Sequence, residues 1–456
     1  MASHTPECCW PDLAATYDIG ASFAVDAKTC GASWQLGSTS VLQSDFLTYS
    51  GMPSYLGAIG TANPAHRIAQ PQIAEFMARA LQLGEGDTRK LRALYRVSGI
   101  EHRYSVLPDY GRTMGEYTFF PNTPTLEPFP SVGQRMAAYR REALPLAVEA
   151  VRASLGQVPD VDVATITHLV TVSCTGMYAP GLDIELVQTL GLRPDVRRTC
   201  VNFMGCYAAV NAIKLADAFC RADAGARVLI VSVELCTLHF QKSPEEDHLI
   251  SNALFGDGAA ACLVQAAPLP GGVPSLSLDG FHCGLEPDGH DDMAWHINDF
   301  GFEMTLSSYV PKLIQRGIRK LTEGLLASLP VQLSDIHQFA IHPGGRKILE
   351  TIESELGLTR DDNRHAYRVL RDYGNMSSAT VLFVLRDVLA AATPADHGAP
   401  VLSFAFGPGL TMEAMLLGIS FNNYQLPSDK QAQADEAREP ENPATVAPSL
   451  ELLNVN

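Results

Sequence analysis

The sequence predicts an α/β protein built from two duplicated halves, and three observations carry that prediction. Nearly continuous apolar strands such as His168-Leu169-Val170-Thr171-Val172 alternate with apolar helices, as expected of a mixed, mostly parallel sheet covered on both faces. A pattern of Gly-polar-helix, strand, Phe-Gly-x-Gly turn and strand occurs twice. In the first half Gly205-Cys206 opens a small-residue helix, Arg227 to Val233 form a strand, and Phe255-Gly256-Asp257-Gly258 runs into Ala259 to Val264. In the second, Gly374-Asn375 opens an apolar helix, Val401 to Phe406 form a strand, and Gly407-Pro408-Gly409-Leu410 runs into Met412 to Leu417. Thirdly, 456 residues, 46% of them hydrophobic, exceed a typical single domain and suffice for a large core. Duplication is the simplest explanation, and it places Cys206 and Asn375 at equivalent points of two facing halves. The expected division is an N-terminal extension (1–50), a first half (51–275), a second half (276–425) and an acidic tail (426–456).

Along the chain, residues 1–50 are rich in Ala, Ser, Thr and Gly without a sustained period, although Trp10, Phe23 and Trp34 give the segment something to dock with. Arg89, Lys90, Arg92, Arg96 and Arg103 then cluster on a predicted helix and the turn after it, either as a solvated basic face or as a site for phosphate. Cys206 follows a Gly and opens a helix. There the unpaired N–H groups and the dipole can lower a thiol from about 8.5 into roughly 3.5–7.5, unless the Cys is simply a buried core residue. His282, Asp288, His290, Asp291, Asp292 and His296 match no compact metal spacing, and the glycines and proline among them read as a solvated loop, so no metal is expected. His342 ends the apolar strand Gln338 to Ile341 and is followed by Pro343-Gly344-Gly345, which aims the imidazole into a loop-lined space. Asn375 taken alone reads as an ordinary helix cap. Taken together, one Cys, one His and one Asn at the mouths of apolar elements form the nucleophile, base and orienting-amide set of acyl transfer. From residue 426 onward the chain is polar, acidic and Pro-punctuated, and too poor in apolar surface to offset ordering entropy.

Composition excludes several classes. A net charge of −17 argues against nucleic acid and anionic membranes. No apolar run reaches the roughly 18 residues needed to span a bilayer, so no membrane insertion is expected. The start lacks the basic and apolar regions of a signal peptide. Ten Cys residues without regular spacing read as free thiols of a reducing, cytoplasmic setting.

At Met204-Gly205-Cys206, Leu254-Phe255-Gly256-Asp257-Gly258-Ala259-Ala260, His342-Pro343-Gly344-Gly345, Tyr373-Gly374-Asn375-Met376-Ser377-Ser378 and Phe406-Gly407-Pro408-Gly409-Leu410, the chain resembles a type III polyketide synthase of the chalcone-synthase-like branch of the thiolase superfamily, bacterial in type. The resemblance runs from about Tyr55 to Phe421. It implies a thiolase-like fold of two αβαβα-layered halves and a homodimer. It further implies decarboxylative condensation of malonyl-CoA onto an acyl-CoA starter held on Cys206, with His342 and Asn375 as catalytic partners. No cofactor beyond the coenzyme A thioesters is implied. Phe255 resembles the family's gatekeeper between coenzyme A tunnel and cavity. Cys174, Thr175, Ala179, His239, Ser251 and Leu276 resemble cavity-lining positions, with Gly407, Pro408, Gly409 and Ser377 beside them; Ala179 stands where a neighbouring subunit's cavity is reached. His239 is expected to narrow the cavity and Leu276, in place of a second gatekeeper Phe, to widen it. These departures favour a pyrone, resorcinol or hydroxynaphthalene over a flavonoid. Coenzyme A contact is assigned to the cluster of Arg89, Lys90, Arg92 and Arg96, together with Gly344, because the family's basic positions fall here near Ala93 and Val97. The alternative, a ketoacyl-ACP synthase III-like condensing enzyme, shares the Cys-His-Asn logic. It lacks His-Pro-Gly-Gly and the Gly-Phe-Gly-Pro-Gly-Leu pattern, which this chain reproduces with Ala405 in place of the first Gly. A non-catalytic protein of the same fold would be expected to have lost a member of the triad.

Overall fold

In the computed structural model, residues 53–422 are described, with the exception of residue 160; the expected extension (1–50) and acidic tail (426–456) lie outside the described residues. The first half opens with β1 (Tyr55–Ala62), β2 (His66–Ala69), α1 (Gln70–Ala80), α2 (Glu85–Val97) and β3 (His102–Ser105). It continues through α3 (Val132–Leu155), β4 (His168–Ser173), α4 (Leu182–Leu190), β5 (Arg197–Asn202), α5 (Ala208–Ala222), β6 (Arg227–Leu235), α6 (Glu246–Leu254) and β7 (Asp257–Gln265). The second half contains β8 (Ser275–Leu285), β9 (Met293–Asn298), β10 (Gly301–Leu306), α7 (Val310–Leu326), β11 (Gln338–Ile341), α8 (Arg346–Leu356), α9 (Arg364–Tyr373), α10 (Ala379–Ala391), β12 (Pro400–Gly407) and β13 (Thr411–Ser420).

Nine strands form one sheet in the order β11-β12-β13-β8-β1-β7-β6-β4-β5. The repeat read from the sequence is visible in the pairing. β4–β6 parallel, β6–β7 antiparallel and β7–β1 antiparallel are matched by β11–β12 parallel, β12–β13 antiparallel and β13–β8 antiparallel. The two sets join where β1 meets β8, so the boundary expected at 275/276 falls at the start of a strand shared by both. The sheet is mixed, but parallel pairing is confined to β4–β5, β4–β6 and β11–β12. The expectation of a mostly parallel sheet fails because the Gly-rich turns are short. Only the turn Pro408–Leu410 separates β12 from β13, too few residues for a parallel crossover.

Helices α5 and α10 are the sequence-equivalent pair and lie against each other. In α10 the run Ala379 to Leu385 is wholly buried, which explains why it is apolar all round rather than striped. On α5, Ala208, Ala209, Val210 and Ala212 are inaccessible, and their small size lets it enter the same layer. Helix α3 starts with a capping box of Ser131 and Gln134 and presses on β1, β6 and β7. Gly60 permits that approach: a Cβ there would lie within 3.0 Å of backbone atoms of Ala150 and Ser154.

Candidate active site

Cys206 stands where β5 gives way to α5. Phe203 at φ +62° and Gly205 at φ +77° reverse the chain, and a 3-10 turn over Gly205–Tyr207 carries it into the helix. A Cβ on Gly205 would fall closer than 3.0 Å to the Pro408 ring, and one on Gly407 closer than 3.0 Å to the ring of Tyr207. The Gly407-Pro408-Gly409 turn is therefore the seat of the Cys206 loop, and none of its residues is among those lining the cavity beside Phe255. Leu410, at φ +46°, adds a further strained position to this junction of the two halves.

His342 extends the β11–β12 pairing through its N–H to the Phe404 carbonyl (2.8 Å), after which Pro343 and Gly344 turn the chain away. It is 1% exposed, and neither ring nitrogen has a hydrogen-bond partner among the described residues. Gly344 leaves space beside Nε2, since a Cβ would sit 3.8 Å from it. Asn375 is held on several sides. Its N–H donates to the Leu254 carbonyl and its carbonyl accepts from Gly256 N–H, both at 2.9 Å. Its Oδ1 accepts from Ser377 N–H at 2.8 Å. That contact assigns the amide orientation; Nδ2 donates to the Gly344 carbonyl at 3.4 Å, and both Nδ2 and Oδ1 lie 3.9 Å from Cys206 Sγ. Ser377, at φ +48°, orients Asn375 through this contact and also bonds the Cys206 sulfur, and it is not among the residues lining the cavity beside Phe255.

The charge state differs from the sequence expectation. Cys206 is 7% exposed, and burial pushes its thiol up to about 12 despite bonds from Ser377 and Asn375 that favour the thiolate. Burial likewise lowers His342 to about 3. Desolvation outweighs the helix terminus, and the pair rests as neutral thiol and neutral imidazole.

Beside the nucleophile lies a carboxyl that the sequence reading missed. Glu234, fully buried at the end of β6, accepts from Cys174 N–H (3.0 and 3.2 Å), from Thr175 Oγ1 (2.8 Å) and from Ser378 Oγ. Burial raises it to about 7. Its signal was an acidic residue inside an otherwise apolar strand. Cys174 and Thr175, expected to line the cavity, bind this carboxyl and the Cys206 loop, with Gly205 N–H 3.0 Å from Cys174 Sγ, while their carbonyls accept from the cavity residues Trp295 and His239.

The cavity itself is lined by Phe255, His239, Ser251, Cys236, Trp295 and Met304, among others, and encloses only about 40 Å³. Phe255 belongs to both regions: its ring lines the cavity and its backbone bridges to Asn375. His239 is stacked on Phe302 at 4.3 Å, donates from Nε2 to the Thr175 carbonyl (2.7 Å) and accepts at Nδ1 from Phe302 N–H (2.9 Å). It is thus a fixed, neutral wall, lowered by burial to about 3. Ser251 Oγ has no partner among the described residues. Leu276 is corrected outright: it is 0% exposed within β8, opposite Leu56 and Ile419. The flexible wall residue facing the cavity with Phe255 is Met304, on the β9–β10 hairpin. Sequence reasoning missed it, together with Trp295, because a two-stranded hairpin far along the chain leaves no local mark of what it covers. Ala179 is exposed and borders a separate surface pocket with Met177 and Pro180.

The basic cluster is dispersed. Lys90 pairs with Asp87 (2.8 Å) and Arg92 with Glu75 (2.6 Å). Arg96 and Arg92 border a surface pocket containing Glu75 and Glu101, whereas Arg89 and Lys90 border none of the pockets described. Arg103 is buried, donating to Gln70 Oε1 (2.8 Å) and the Phe255 carbonyl (2.5 Å), so it braces the Phe255 turn and is unavailable to a surface phosphate. In the 282–296 segment His290 pairs with Asp291, and among the described residues no three His, Cys, Asp or Glu side chains gather as metal ligands. No helix among them is long and apolar enough to cross a membrane.

Comparison with known proteins gives a consistent result. Residues 48–268 match the family model of the chalcone and stilbene synthases, N-terminal domain, and residues 282–420 its C-terminal domain. The alpha-pyrone synthesis polyketide synthase-like Pks18 of Mycobacterium tuberculosis is 32% identical over 366 residues, covering 79% of this chain and 90% of its own. The C-terminal type III polyketide synthase domain of Steely1 from Dictyostelium superposes with a TM-score of 0.74 at 27% identity, covering 80% of this chain and 99% of that domain. PKS-I of the brown alga Ectocarpus siliculosus gives 0.73 at 30% identity over 81% of this chain and 99% of its own. The ketoacyl-ACP synthase III-like alternative is not favoured. On this fold, these motifs and these relatives, the chain belongs to the chalcone and stilbene synthase family and is a type III polyketide synthase, an acyltransferase.

Proposed function

We propose that Cys206 carries the growing chain and that His342 and Asn375 drive decarboxylation of malonyl-CoA. The observation that carries this reading is the Asn375 amide: Ser377 N–H occupies its Oδ1, and its Nδ2, one of whose protons goes to the Gly344 carbonyl, lies 3.9 Å from Cys206 Sγ. Because thiol and imidazole are both neutral at rest, the proton passes from Sγ to His342 Nε2 as sulfur attacks the starter thioester. The new S–C bond forms, the bond to coenzyme A breaks, and the departing thiolate takes a proton from solvent while the imidazolium keeps its proton on Nε2, to be returned when the Cys206 thiolate is expelled. In malonyl-CoA the bond to the carboxylate then breaks, carbon dioxide leaves, and the enolate oxygen accepts from His342 Nε2–H and Asn375 Nδ2–H. Each such donor is worth about 2.7–4 kcal/mol. The enolate carbon attacks the acyl-Cys206 carbonyl and expels the Cys206 thiolate. Repetition and cyclisation yield a pyrone, resorcinol or related aromatic product. This chemistry needs no group beyond the coenzyme A thioesters.

The relative from Mycobacterium tuberculosis is described by alpha-pyrone synthesis, which supports a pyrone first. The small cavity supports a chain that enters by displacing Met304 and Met77, whose unbranched side chains repack readily. A homodimer is part of the proposal, with the exposed Met177-to-Pro180 loop as its contact, in a cytoplasmic setting. The test is mass spectrometry of products formed from malonyl-CoA with a panel of acyl-CoA starters. Extended, cyclised ketides are expected, and their absence with every starter would overturn the proposal.

A further inference from the structure

One turn of α6 leaves two buried polar groups unpaired on the wall of the cavity beside Phe255. His248, Ser251, Asn252 and Phe255 recur at the spacing of one helix face, and all four line the cavity. That cavity adjoins the triad on several sides. Phe255 bridges through its backbone to Asn375, and Gly256 N–H donates to the Asn375 carbonyl (2.9 Å). Burial, the carboxyls of Glu234 and Asp257 and the neighbouring Cys206 sulfur together raise the thiol of Cys236, a wall residue. Trp295, also in the wall, donates from Nε1 to the Cys174 carbonyl (2.7 Å). The Cys174 sulfur accepts in turn from the N–H of Gly205, the residue before Cys206 (3.0 Å).

Other polar side chains of the wall are paired. Thr237 donates to Asp257 (2.6 Å), Gln241 to the Phe302 carbonyl (2.9 Å) and Asn252 to the Gln241 carbonyl (2.9 Å), while His239 uses both ring nitrogens. His248 and Ser251 differ. Each is 8% exposed, and neither His248 Nδ1 nor Ser251 Oγ has a hydrogen-bond partner among the described residues. The His248 ring is nonetheless held in place. Its Nε2 lies 2.8 Å from Glu303 Oε1 on β10, whereas Glu245, 3.8 Å from Nδ1, is beyond hydrogen-bonding distance. Because Glu303 accepts from Nε2–H, the tautomer is set and the Nδ1 lone pair is left as an acceptor. Ser251 Oγ–H is a donor one turn further along the same face.

We propose that this turn of α6 recognises an O–H group on the acyl chain carried by Cys206, either the hydroxyl of a hydroxylated starter or the enol of the growing ketide. Ser251 Oγ–H donates to that oxygen, and His248 Nδ1 accepts from it. An alkyl chain would leave both groups buried and unpaired, and a ketone would pair with Ser251 alone. A hydroxyl or enol pairs with both. A site built this way selects against the analogue that lacks the oxygen, since its own polar groups are then stranded. Ile73, Met77, Phe240 and Trp295 make the surrounding wall apolar, so the chain that fits is an apolar one bearing an O–H. The proposal rests on the synthase reading and narrows its substrate class.

The test uses the full chain and the variants Ser251→Ala, Ser251→Thr and His248→Phe, with melting temperatures to establish folding. Octanoyl-CoA, decanoyl-CoA and phenylacetyl-CoA are each compared with a hydroxylated counterpart. Acylation of Cys206 is followed by intact-protein mass without malonyl-CoA, and the products are analysed after malonyl-CoA is added. If the starter supplies the O–H, the wild type acylates with the best hydroxylated starter roughly tenfold faster than with its parent. Ser251→Ala and His248→Phe bring that ratio towards one, and Ser251→Thr, which keeps the hydroxyl, retains it. If the enol supplies it, loading shows no preference, while Ser251→Ala and His248→Phe, but not Ser251→Thr, change the number of extensions. Folded variants that alter neither the loading ratio nor the products, with Cys206 still acylated, would overturn the recognition alone. A change shared equally by Ser251→Ala and Ser251→Thr would also overturn it, since shape and not the hydroxyl would then be read. A wild type in which no starter acylates Cys206 would overturn the synthase reading and the proposal with it.

Discussion

Glu234 sits in the wall behind the nucleophile, and its environment makes a testable demand on stability. Four donors favour its anion, yet burial raises it from 4.5 to about 7. A carboxyl raised on folding binds its proton more tightly in the native state. Its contribution is therefore fully present below about 4.5 and is lost as pH rises through about 7. Glu234→Gln removes this titration, so the variant should gain on the wild type between pH 5 and pH 8 by roughly 3 kcal/mol. Urea midpoints at the two pH values measure it. Asp257, raised by burial to about 6, titrates with the same sign in both proteins and cancels. A difference between variant and wild type that does not change with pH would show that Glu234 titrates normally. Burial also decided the case of Cys206. The helix start that the sequence displays acts on a sulfur whose water has been removed, and the loss of water dominates.

The elements that make the site are the two glycine turns, and they are interlocked. Gly205 has φ +77°, and its missing Cβ leaves room for the Pro408 ring. Gly205→Ala meets both obstacles and is expected to cost roughly 2–4 kcal/mol. Gly409→Ala, at φ +69° with nothing within 4 Å of its Cβ position, meets only the backbone strain of about 1–2 kcal/mol. Melting temperatures of the two variants should fall in that order, and equal losses would mean that the turns do not interlock. These turns were legible in the sequence because Gly and Pro mark them, and so were Cys206, His342 and Asn375, each placed at the end of an apolar run. The duplicated order of strands was legible for the same reason. Leu276 was misplaced because a strand residue's face depends on register, and a shift of one position exchanges cavity for core; the contacts of Cys174 and Thr175, just beyond β4, depend on Glu234, which is distant in sequence. Met304 and Trp295 were not legible, since only tertiary contact brings them to the cavity.

At the scale of the whole molecule, two halves meet at β1 and β8 and place Cys206 and Asn375, the proposed nucleophile and donor amide, at the starts of two helices that pack together. Met177 is 41% exposed beside Ala179 on a loop outside the cavity, as a subunit contact requires; sedimentation at micromolar concentration should give a dimer, and a monomer would refute that contact. The division of labour between halves is the central claim, and one comparison tests it most directly. Wild type, Cys206→Ala and Asn375→Ala are each exposed to an acyl-CoA starter, then to malonyl-CoA, following intact-protein mass and carbon dioxide release. The wild type should gain the acyl mass and release carbon dioxide. Cys206→Ala should gain no acyl mass. Asn375→Ala should load normally yet decarboxylate about 100-fold more slowly, the loss of one oxyanion donor. Acyl loading on Cys206→Ala, or undiminished decarboxylation by Asn375→Ala, would contradict the account.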